Sequence, residues 1–124
     1  MKHSVYFTDD ERDFLIQVMD MFCEYNDLKN LPVKTKLLLN ATAYEESEII
    51  LMYLYLREVK KSIEKALDNP LLKDDNLLLN YKGVNHCLRT CRKSLDECGV
   101  DVNELCKQAD EFLYLYNLGI NDIE

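Results

Sequence analysis

The chain has 124 residues, 48% hydrophobic and 31% charged, with a formal net charge of −8. That composition is globular rather than disordered, and three Gly and two Pro are too few for a many-turned β-sandwich. The negative charge disfavours binding to bare nucleic acid or to anionic membranes, which both reward cationic side chains, and leaves open a protein partner with a basic surface.

A first helix is predicted over about residues 9–28. Thr8-Asp9-Asp10-Glu11 reads as a capping box, in which the Thr hydroxyl and the Glu carboxylate each accept a backbone N–H. Leu15, Val18, Phe22 and Tyr25 recur at helical spacing behind it. Residues 34–42 suit a short helix, since no other segment offers them a strand partner. The longest helix is expected over 44–68, opened by a second box at Thr42-Ala43-Tyr44-Glu45. Its stripe is Ile49, Met52, Leu56, Val59, Ile63 and Ala66. Around 49–56 every side is apolar, which marks a central strut, and Asn69-Pro70 ends it.

The cleanest periodicity follows over 76–98. Leu77, Tyr81, Val84, Leu88, Cys91, Leu95 and Cys98 repeat at alternating spacings of four and three, with Gly83 inside the run and Gly99 placed as a left-handed C-cap. A last helix over 102–117 starts at Asp101-Val102-Asn103-Glu104, with Asp as the cap and Val100 and Leu105 as a hydrophobic staple. Leu105, Ala109, Phe112 and Tyr116 form its inward stripe. The expected fold is all-α: one domain over 1–124, a small antiparallel bundle of four main helices plus one short helix and no sheet. The heptad stripe also allows two copies to zip into a homodimer.

Five cysteines, an odd count without a signal peptide, point to free thiols in a reducing, cytoplasmic setting. Cys87, Cys91 and Cys98 share a helical side, but the last two lie about 10 Å apart along the axis, too far for one tetrahedral metal. Neither His3 nor His86 stands three residues after a Glu, as a carboxylate-bridged di-iron bundle requires. His3 is expected in a disordered terminus. Glu45-x-x-Glu48 resembles the metal-holding pair of the all-helical nucleotide pyrophosphohydrolases of the MazG type. Those follow it with Glu-x-x-Asp, and this chain does not. Three scattered glycines form no phosphate-binding loop.

No catalytic residue, cofactor or metal site is therefore expected. The remaining signal is charge. Residues 1–28 and 99–124 each sum to −5, while the middle sums to +2. An acidic face built by the two terminal segments side by side would hold Asp9, Asp10, Asp13, Asp20, Glu24 and Asp27 from the first helix, with Asp110 and Glu111 from the last. Tyr53, Tyr55 and Tyr114 are the candidate aromatic anchors if the contact is apolar instead. The expectation is a non-catalytic protein-binding module. Its size and lack of enzyme motifs resemble the small inhibitors and regulators of phages and mobile elements, anti-defence proteins included. An immunity- or antitoxin-like bundle, or a subunit of a larger assembly, is the alternative.

Overall fold

The computed structural model describes residues 2–23, 27–71 and 74–111, with backbone alone for 21–23 and 27–31. In chain order these form β1 (Lys2–Ser4), α1 (Asp9–Cys23), α2 (Asp27–Leu38), β2 (Ala43–Glu45), α3 (Glu46–Leu67) and α4 (Asp75–Glu97). A fifth helix, α5, runs from 102 to the last described residue, 111. The fold is a small all-α bundle carrying one short β-ribbon.

The helix starts follow their caps. Thr8 N–H donates to Glu11 Oε1 and Glu11 N–H to Thr8 Oγ1, both at 3.1 Å, so the first box forms as expected. Asp74 caps α4 through the Leu77 N–H at 2.7 Å, and Asp101 caps α5 through the Glu104 N–H at 3.1 Å. Gly99 takes φ 81° and closes α4. Its N–H bonds the Asp96 carbonyl and that of Val100 bonds the Leu95 carbonyl, which is a Schellman ending. Asn40, at φ 56°, closes α2 with the same pair of bonds, from Asn40 to Leu37 and from Ala41 to Lys36.

Three expectations are corrected. First, α2 starts at Asp27 and runs through Pro32 to Leu38, rather than occupying 34–42. Pro32 forfeits one backbone bond near the helix start, and burial of Val33 and Leu37 against α1 outweighs that local cost. Second, the chain contains a sheet. Lys2, His3 and Ser4 pair antiparallel with Glu45, Tyr44 and Ala43, and the Val5 N–H reaches the Thr42 carbonyl at 2.8 Å. His3 thus sits in a ladder rather than a disordered terminus. Strands of three residues are too short to show a period of two. What fixes this pair is Tyr44, buried at its centre and packed edge-to-face on Phe7 at 6.0 Å. Third, with 43–45 extended, the box of α3 shifts. Glu45 becomes the N-cap and its N–H donates to Glu48 Oε1 at 2.8 Å.

The core gathers on α3, the central strut. Ile49, Met52 and Leu56 are wholly buried there, against Leu15 and Met19 of α1 and Val84, Cys87, Cys91 and Leu95 of α4. Each such aliphatic side chain contributes about 1.5–3 kcal/mol. Gly83 serves close approach: a Cβ there would stand 3.2 Å from the Phe14 ring, so a larger residue would require Phe14 to give by a few tenths of an ångström. Among the described residues no helix is long and apolar enough to cross a membrane.

Candidate functional site

Among the described residues the outer side of α1 presents a run of exposed acids. Leu15, Val18 and Met19 face the core, which turns Asp9, Asp10, Asp13 and Asp20 to solvent. They are not equivalent. Asp9 pairs with Arg12 at 3.3 Å, and Asp20 pairs with Lys34 of α2. Asp10 and Asp13 form no ion pair among the described residues. Glu11, beside them, is structural. Its carboxylate accepts from the Thr8 N–H and from the Thr90 hydroxyl, tying the start of α1 to α4.

The other predicted contact residues scatter. Asp110 lies on α5 against α3, where Arg57 reaches it at 2.7 Å and Lys61 at 3.4 Å. The hydrogen bond from Arg57 holds its carboxyl below the usual range. Its charge is therefore directed at α3 rather than joined to the acids of α1. Glu111 is exposed. Asp27 opens α2 instead of continuing α1, and its side chain lies outside the described residues, as do Glu24 and Tyr114. Tyr53 is a core residue at 7% exposure, with Cys106 and Arg92 beside its hydroxyl, so it cannot serve as a surface anchor. Tyr55 is half-buried on the rim of a hollow of about 370 Å³ between α3 and α5, with Leu54 and Leu105.

Several groups that could carry chemistry are bound into the fold. The Glu48 carboxylate holds the Lys36 ammonium as well as the Glu45 N–H, so half of the Glu-x-x-Glu pair is committed to joining α2 to α3. Cys87 and Cys91 are wholly buried. Burial pushes the Cys87 thiol up to about 12 and the Cys91 thiol higher still, which makes both poor nucleophiles at neutral pH. The Cys87 thiol donates to the Glu11 carbonyl at 3.5 Å. Burial also lifts the Tyr44 phenol to about 12, with Glu48 adding to the effect. Among the described residues no three His, Cys, Asp or Glu side chains converge to hold a metal ion.

Sequence reasoning missed a second charged stripe. Lys82, His86, Arg89 and Lys93 line the exposed side of α4, and Lys82 and His86 border α1. Their spacing of four, three and four is legible in the sequence, on the side opposite the cysteine and leucine stripe. Between the two helices lies a hollow of about 490 Å³ bounded by Asp10, Glu11, Leu79, Lys82 and His86. Leu79 is 65% exposed at its edge. A more apolar hollow of about 550 Å³ opens between α1, α3 and α4, lined by Phe14, Val18, Val59, Ile63 and Leu77. Comparison with models of known protein families, with curated proteins and with solved structures finds no match to this chain.

Proposed function

We propose that the chain is a non-catalytic protein-binding module, a small acidic inhibitor or regulator of a larger machine whose contact surface is basic. The supporting observation is the outer face of α1, where Asp9, Asp10 and Asp13 stand exposed on a helix whose opposite side is fully committed to the core. Acids so placed steer a basic partner and act mainly on association rate. The nucleic-acid channel of an enzyme is the most concrete such surface, and the anti-defence proteins of phages are the class in which this strategy is at home. A cytoplasmic setting belongs to the same reading.

A magnesium-dependent nucleotide hydrolase is disfavoured, because Glu48 is held by Lys36 and no Glu-x-x-Asp follows it. The test has two stages. Capture from host lysate identifies a partner, and binding kinetics then compare the native chain with the Asp9→Asn, Asp10→Asn, Asp13→Asn variant at two salt concentrations. Slower association in the variant, and slower association of the native chain at high salt, are expected. Salt-independent association removes the acidic-face reading. Pyrophosphate release that vanishes in a Glu45→Gln, Glu48→Gln variant replaces the binding module with an enzyme.

A further inference from the structure

α1 and α4 lie side by side with opposite chain directions. Phe14 rests on Gly83, and one turn earlier in α1 Glu11 meets Cys87 and Thr90, further along α4. Over Asp9–Asp20 and Lys82–Lys93 their outer sides carry opposite charge. Asp9, Asp13 and Asp20 fall within about 40° of one another on α1, and Lys82, His86, Arg89 and Lys93 within about 60° on α4, at about 100° per residue. Each stripe is about 16 Å long at about 1.5 Å per residue. Lys82, Arg89 and Lys93 form no ion pair among the described residues, as is true of Asp10 and Asp13. The hollow between the two helices, which Asp10, Lys82 and His86 line, carries the exposed Leu79.

A face with one acidic and one basic stripe offers a basic partner only its α1 half, because the α4 cations border that footprint. It is well matched to itself. A two-fold interface must be self-complementary, and two orientations of the axis lie in the plane of this face. An axis perpendicular to the helices sets acid on acid and base on base. An axis parallel to them, along the seam, sets α1 of each copy on α4 of the other. Rotation about that axis keeps every residue at its own height. Asp10 and Asp13 share the level of residues 82–90 in their own chain, so they meet that same level in the second copy, and the two Leu79 side chains meet across the axis.

We propose that this face docks a second copy of the chain about a two-fold axis parallel to α1 and α4. The inference goes beyond the reading above, since it needs no outside partner. It adds that the dimer withholds the α1 acids from any basic competitor.

The test uses the full chain alone. Sedimentation equilibrium is expected to show a dimer at low salt that dissociates toward about 1 M salt, where the screening length falls to about 3 Å. Asp10→Lys with Asp13→Lys, and separately Lys82→Asp with Arg89→Asp, are each expected to weaken self-association about tenfold or more. Mixing the two variants is expected to restore a dimer as a mixed species, since one then carries mainly positive stripes and the other negative ones. Circular dichroism checks that each remains folded, and the salt titration of the native chain stands without them. A native chain that stays monomeric to about 1 mM at low salt overturns the inference and leaves the face to a different protein. A dimer indifferent to salt and to both reversals also overturns it, and neither result touches the partner kinetics above.

Discussion

The two sides of α4 obey the same helical geometry and do opposite things. On the inner side, Val84, Cys87, Cys91 and Leu95 are wholly buried against α3 and α1, and the thiols are driven toward their neutral form. On the outer side, Lys82, Arg89 and Lys93 remain in water, and Lys82 shares a hollow with Asp10 of α1. The contrast shows where each kind of interaction has leverage. Burial acts on stability because the removed surface is large and the medium is dry. Exposed charge acts on encounter, because solvent and salt screen it before it can stabilise the fold.

Alkaline pH is expected to disturb the inner side most. The folded chain keeps protons on Cys87 and Tyr44 to about pH 12, whereas the unfolded chain releases them near 9.0 and 10.0. Between those limits the unfolded state binds fewer protons, so stability falls as pH rises. Their contribution is complete below about pH 9 and lost by about pH 12. Urea unfolding across that range measures the slope, and a flat profile would show that these groups reach water. Leu95→Ala comes next, at about 2–5 kcal/mol in the same assay, since it opens a cavity in a fully closed site.

Cys91→Ser should cost about 1–3 kcal/mol, because a hydroxyl replaces a thiol at a position with no water contact. A loss much smaller than that would mean the hydroxyl finds a backbone acceptor in its own helix. At the outer side, Lys82→Ala or Arg89→Ala is expected to shift stability by less than about 0.5 kcal/mol while changing self-association and its salt dependence. A large stability loss there would break the distinction between the two sides.

Local chemistry was legible in the sequence wherever a few neighbouring residues settle it. The box at Thr8, the Asp101 cap and the left-handed Gly99 are interactions within one turn, and the stripe from Leu77 to Leu95 follows from helical period alone. The Tyr44 strand was not legible, because its partner lies some forty residues away and three residues show no period. Nor was the length of α2, where packing of Val33 and Leu37 overrode the local signal of Pro32.

Asp13 and Glu48 mark the same boundary for the site. Both are acids in the first turns of a helix, where the dipole favours negative charge. Only the tertiary structure gives Glu48 to Lys36 and leaves Asp13 in water. By itself, then, the sequence determined the helices, their inward stripes and most of their ends, since those depend on residues within a turn or two. The tertiary structure decided which charges are spent inside the fold and which stripes become neighbours. Placing the acids of α1 beside the cations of α4 requires bringing together segments about seventy residues apart, and no local preference encodes that.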